Sequence, residues 1–346
     1  MNHRTIAAAF FCLLMAGLAS AQTVGPPWPA EVSIPSTHRI QFTSAIDGES
    51  YTLSIHAPLT PPPSDGYPVI YVLDGDLLFG MASDISQAIG NPNLTPVVVA
   101  IGHGFLENMD VVAKYARRKA GDTSPIGLAD IGGAFNALRF HDFTLPVAPN
   151  HRAPDWTGLT PDNVGGVDQF LKVLETEIKP KVAATVRVNA ADQALFGHSI
   201  AGLAVLRALF TEPTAFRTFI AASPSIWWNA DAVLTDERKF GAAIENGRAS
   251  PRVLITVGAD EPDSPNPPQS FIASLPPDKS AALNTYVKMA SQWSGMVSGA
   301  RDLAGRIGKL RGGTAYKVQF VAFEGESHSS VAPAALSRGM HFAFDH

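Results

Sequence analysis

Apolar residues in this chain fall into short continuous runs and longer periodic stretches, and the two alternate. Val69-Ile70-Tyr71-Val72-Leu73 and Val97-Val98-Val99-Ala100-Ile101 are uninterrupted and rich in β-branched side chains, the pattern of strands buried on both faces. Ala194-Leu195-Phe196, Phe219-Ile220-Ala221-Ala222, Val253-Leu254-Ile255-Thr256-Val257 and Val318-Gln319-Phe320-Val321-Ala322-Phe323 repeat it downstream. Between the runs the spacing becomes helical. A helix is predicted from Leu77 to Ile89. Val167, Phe170, Leu171, Leu174, Ile178 and Val182 share one helical face, as do Met296, Ala300, Leu303, Ile307 and Leu310. A last helix is predicted from Ala332 to Phe344. Near the start, Arg39 to Phe42 and Tyr51 to His56 read as two antiparallel strands. Strands alternating with helices predict an α/β fold, a mostly parallel central sheet with helices on both faces. His103 to Val164 interrupts the pattern. It is rich in Gly, Pro, Asp and Asn without periodicity, and is predicted as a long inserted loop.

The stretch Gly197-His198-Ser199-Ile200-Ala201-Gly202 lies where one apolar run turns into a helical pattern, Leu203, Leu206, Leu209 and Phe210. Strand, sharp turn bearing Ser, then helix is the context of a nucleophile elbow. The strained turn demands small residues two before and two after the serine. Gly197 meets that demand, and Ala201 stands where the usual motif has Gly.

The N-terminus differs from the rest of the chain in composition. Arg4, an apolar core from Ile6 to Leu18 and the small residues Ala19-Ser20-Ala21 come in the order of a secretory signal. Residues 1–21 are therefore expected to be removed, leaving residues 22–346 as a single domain outside the cytoplasm, periplasmic or secreted. The core is too short for a typical spanning helix, and no other stretch is long and apolar enough. The one cysteine, Cys12, lies inside that signal, which excludes thiol catalysis, zinc-thiolate sites and disulfides from the mature chain. A net charge of −5 with scattered signs argues against a nucleic-acid partner. The histidines have no ligand spacing on one element and no Gly-rich nucleotide loop occurs, so neither metal nor organic cofactor is expected.

The candidate chemistry gathers at the ends of the predicted strands, where ligands sit in parallel sheets. A serine hydroxyl needs an adjacent base; His328, after the last strand, is the best placed. Asp260 and Glu261 both follow the Val253–Val257 strand and are candidates for the carboxylate that orients the imidazole, with Asp263 a weaker third. The order Ser, acid, His is that of α/β-hydrolases. An oxyanion hole would take one N–H from Ile200 and one from Gly75 or Asp76, in the turn after Leu73. Trp227 and Trp228 either wall a ligand or pack in the core. Lys114 to Lys119 reads as a solvated cationic face.

With these residues assembled, the chain resembles the esterase family of α/β-hydrolases that holds the siderophore esterases opening enterobactin, salmochelin or bacillibactin trilactones. The resemblance rests on Tyr71-Val72-Leu73-Asp74-Gly75-Asp76, Arg139-x-x-Asp142-Phe143-Thr144, Gly165-Gly166, Phe196-Gly197-His198-Ser199, Ala221-Ala222-Ser223-Pro224-Ser225-Ile226-Trp227-Trp228 and Phe323-Glu324-Gly325-Glu326-Ser327-His328. It implies the α/β-hydrolase fold, Ser199 as nucleophile and His328 as base. Through Gly258-x-x-Glu261 it favours Glu261 over Asp260, although some similar enzymes work with a Ser-His pair alone. It places Arg139 in the loop over the pocket as a contact for a small-molecule ester, a catecholate siderophore for instance. Ala201, Phe143 and the segment His103 to Asn136 depart from the family pattern. The expected activity is ester hydrolysis through an acyl-enzyme. The alternatives are an acyltransferase of the same fold and a catalytically silent ligand-binding homologue.

Overall fold

The strands are β1 (Thr37–Thr43), β2 (Ser50–His56), β3 (Tyr67–Val72), β4 (Val97–Gly102), β5 (Val188–His198), β6 (Thr218–Ala222), β7 (Arg252–Gly258) and β8 (Lys317–Phe323). The computed structural model describes residues 33–89, 95–105, 107–116, 118, 121–147, 163–229, 232–261, 263 and 295–345. The segment 1–21, predicted as a secretory signal, lies outside the described residues. The strands form one eight-stranded sheet in the order β1-β2-β4-β3-β5-β6-β7-β8. β1 and β2 are antiparallel to their neighbours, and every pairing from β4 across to β8 is parallel. This is the α/β-hydrolase fold expected from the alternation of elements.

The helices are α1 (Gly75–Ala88), α2 (Met109–Tyr115), α3 (Leu128–Phe143), α4 (Val167–Val173), α5 (Lys179–Thr185), α6 (Ile200–Thr211), α7 (Glu237–Glu245), α8 (Met296–Ile307) and α9 (Val331–Phe344). A π turn, Leu174–Ile178, joins α4 to α5. Alternate residues of each inner strand serve opposite faces. Val69 and Tyr71 pack with Phe140, Phe170, Leu203, Phe240 and Leu303, so α3, α4, α6, α7 and α8 cover one face. Ile70 and Val72 pack with Leu78, Ala82, Leu336 and Met340, so α1 and α9 cover the other. Burial on both sides is why the inner strands read as unbroken apolar runs.

Two expectations need correction. The segment 103–164 is not one loop: it carries α2 and α3. α3 escapes detection because it is apolar on more than one side. Ala134 and Phe135 join Phe105, Val112 and Ala116 in a small separate core, while Phe140 and Phe143 face the main one. β5 also begins earlier than its apolar run: its first residues, from Val188 to Asp192, are half-buried or exposed and include the polar Asn189 and Asp192. Among the described residues no helix is long and apolar enough to cross a membrane.

Candidate active site

The turn after β5 delivers Ser199 with φ 62° and ψ −121°, a backbone conformation that costs a non-glycine residue on the order of 1–3 kcal/mol and persists only where surrounding structure enforces it. Here the enforcement is hydrogen bonding. Ser199 N donates to Ala222 O at 2.9 Å, and Ser225 N donates to Ser199 O at 3.1 Å. Gly197 has to be glycine: a Cβ there would stand 2.3 Å from Ala201 O. Ala201 itself is fully buried, so its methyl is accommodated where the usual motif has none.

The turns after β7 and β8 bring the partners. Ser199 Oγ lies 2.8 Å from His328 Nε2, and His328 Nδ1 lies 2.8 Å from Glu261 Oε2. A carboxylate only accepts, so Nδ1 carries the hydrogen and Nε2 is left to accept from the serine hydroxyl. Burial alone would raise the Glu261 carboxyl; the hydrogen bond and charge of His328, with Ser223 and Gly258, hold it below its ordinary value. Glu261 Oε1 is taken up by the Ser223 hydroxyl at 2.5 Å and Gly258 N–H at 2.6 Å. The His198 ring packs against that of His328, 4.9 Å between centroids. Burial, then the charges of His328 and Arg139, lower its pKa well below the usual value.

Asp260 does not fill the acid position. It is exposed, and its N–H donates to Glu326 O at 3.1 Å, so its side chain turns to solvent beside the acid that pairs with His328. Asp263 instead receives Val297 N, Ser298 N and Ser298 Oγ at the start of α8. Trp228 is not a ligand wall: it is 1% exposed, packs on Phe140 and donates its indole N–H to Leu145 O at 3.0 Å. Trp227 is half-buried. Arg139 is not on a loop but on α3, and its guanidinium is engaged by Asp74 Oδ1 and Oδ2 at 2.7 and 3.0 Å. Asp142 pairs elsewhere, with His103 Nε2 and His141 Nδ1, each at 2.7 Å.

Gly75 and Asp76 open α1 directly after β3, and Ile200 opens α6. The first N–H groups of a helix have no intrahelical acceptor, so both turns present donors at the carboxyl edge of the sheet. Asp76 is held by its own carboxylate, which accepts His103 N at 2.8 Å and Gly104 N at 2.9 Å.

A serine on a strained elbow, hydrogen-bonded to a histidine and through it to a carboxylate, on a sheet of this order, is the arrangement of the α/β-hydrolase class. Comparison with known proteins narrows the class. The family described as "Putative esterase" matches residues 146–294. The chain is 30% identical over 284 residues to the siderophore enterobactin esterase of Emericella nidulans, covering 79% of this chain and 80% of that one. It is 29% identical over 314 residues to the ferri-bacillibactin esterase BesA of Bacillus subtilis, covering 90% of each. The crystal structure of the BES protein from Bacillus cereus matches with a TM-score of 0.67 at 27% identity, over 92% of this chain and 99% of that one. The chain belongs to this family of siderophore esterases and their relatives, and it is an esterase.

Proposed function

We propose that this esterase is an exported serine hydrolase that opens the ester bonds of a siderophore through an acyl-enzyme. The observation that carries the proposal is the unbroken hydrogen-bonded chain from Ser199 through His328 to Glu261. His328 Nε2 takes the hydroxyl proton as Ser199 Oγ attacks the ester carbonyl carbon. The carbonyl oxygen becomes an oxyanion facing the N–H groups of Ile200 and of Gly75 or Asp76. Collapse breaks the bond to the alcohol, which leaves with the proton returned from Nε2. Water then repeats the sequence on the acyl-enzyme, releasing the acid and regenerating Ser199. Glu261 keeps the imidazole in the productive tautomer and stabilises its cation.

The siderophore assignment draws on the substrates named for the relatives and on Trp227, half-buried on the turn after β6, a residue type that stacks well on an aromatic acyl group. Export draws on the order of charge, apolar core and small residues in segment 1–21; N-terminal sequencing from the native host tests it, and a retained Met1 on cytoplasmic protein refutes it. Substrate class is tested by comparing kcat/KM for a catecholate trilactone, a feruloyl ester and a long-chain acyl ester. The trilactone is expected to lead by at least about tenfold, equivalent to about 1.4 kcal/mol. A preference for the long acyl chain would leave the esterase and remove the siderophore.

A further inference from the structure

We propose that Arg139 is a positioning residue that ties the two backbone arms of the oxyanion hole to each other. This rests on the serine-esterase assignment above. β3 and β5 run side by side, and their ladder ends at Val72 and Phe196 with a last bond from Leu73 N to Phe196 O. Beyond that bond the two chains part. One continues to Asp74 in the left-handed region, φ 57°, and into α1. The other continues through Gly197 and His198 to the Ser199 elbow and α6. The two donor turns therefore lie past the last bond between β3 and β5, although β5 itself stays paired with β6 as far as His198.

Arg139 bridges that gap. Its Nε and Nη2 grip the Asp74 carboxylate at 2.7 and 3.0 Å, and the same Nη2 donates to His198 O at 3.2 Å. Asp74 immediately precedes Gly75, and His198 immediately precedes Ser199, so each contact fixes the peptide leading into a donor turn. Asp74 heads α1 yet its side chain makes no capping bond there; the carboxylate is committed to Arg139 instead. The side chains of Arg139 and Asp74 are 15% and 6% exposed, so the pair is largely withdrawn from water. The other anchor of the first arm, Asp76 on His103 N and Gly104 N, ties it to the end of β4 and not to the nucleophile strand. A planar guanidinium holds both oxygens of a carboxylate and a carbonyl in one rigid fork; a lysine ammonium gathers its donors on one atom at the end of a flexible stem and does not reproduce that geometry.

The test is steady-state kinetics on an activated ester with Arg139→Lys and with the charge-neutral double variant Asp74→Asn/Arg139→Gln, which leaves no unpaired buried charge. Thermal unfolding reports folding, and Ser199→Ala is run alongside. Each variant is expected to lose about 100-fold in kcat, the scale of a lost oxyanion donor, with KM within about threefold. Because both changes break one unit, the double variant should be no worse than Arg139→Lys by more than about threefold. Folded Arg139→Lys or double variant with wild-type kcat overturns the proposal, and so does a rise in KM at constant kcat, which would make Arg139 a substrate contact. If Arg139→Lys does not fold, the double variant decides alone; if neither folds, the pair is structural and the proposal fails. Activity retained by Ser199→Ala would instead overturn the nucleophile assignment, whatever the Arg139 variants do.

Discussion

The Ser223 hydroxyl donates to Glu261 Oε1 at 2.5 Å, on the opposite oxygen from the one that meets His328. Ser223 is fully buried at the end of β6 and has φ 44°, a conformation few L residues adopt. Together with Gly258 N–H it fixes how the carboxylate presents itself to the imidazole.

Ser223→Gly is therefore expected to lower kcat about tenfold, since hydrogen bonds to charged groups contribute about 1.5–3 kcal/mol. Glycine is at ease at positive φ, so thermal stability should fall little. Ser223→Ala, which loses the hydroxyl and keeps the strain, should lose both activity and stability. Kinetics and melting curves on the two variants separate the effects, and wild-type kcat in Ser223→Gly would remove Ser223 from the site.

Glu261→Gln is expected to cost on the order of 10⁴ in kcat, the loss seen when a triad acid becomes an amide. Asp260→Asn should stay within about threefold of wild type, because Asp260 is exposed. Both are measured on one activated ester. Two near-wild-type variants would reduce the machinery to Ser199 and His328.

The pair His103–Asp142 makes stability depend on pH. His103 Nδ1 faces Ser50 O and Nε2 faces Asp142, two acceptors, so both nitrogens carry hydrogen. Burial lowers the His103 pKa, but the charge and hydrogen bond of Asp142, with Ser50 and Asp76, outweigh it and raise it to about 9. The unfolded value is lower, so the contribution is complete below about pH 6.5 and is lost as pH rises through about 9. His103→Gln should therefore be destabilised by roughly 2–3 kcal/mol at pH 6, with the deficit shrinking by pH 10. Urea unfolding across that range checks it; a deficit constant with pH would contradict the charged state.

The strands and most helices were legible because burial on two faces writes a continuous apolar run and burial on one face writes a helical period. α3 was not, because Phe135 packs into one core while Phe140 and Phe143 pack into another, which erases the period. The serine and histidine could be read from where they stand relative to strands. The choice of Glu261 over its neighbour could not be made from spacing, since it depends on which side chain turns inward after β7. Arg139 and Asp74 are 65 residues apart, so a cation that the family resemblance offers to a substrate turns out to have a partner within the chain. Trp228 and Trp227 are adjacent, yet only their exposure, 1% for Trp228, separates core from surface. Ser223 carries no catalytic signature of its own in the sequence, and its position at a strand end is the one signal it gives.

Ser199 as nucleophile underlies every step proposed for this esterase, and fluorophosphonate labelling followed by peptide mapping reads it out on the protein itself. One phosphonyl adduct on Ser199, absent from Ser199→Ala and strongly reduced in His328→Ala, is the expected result, with Ser199→Ala turnover down on the order of 10⁶ as for other triad serines. An adduct on another residue, or Ser199→Ala retaining more than about a hundredth of wild-type turnover, would contradict it.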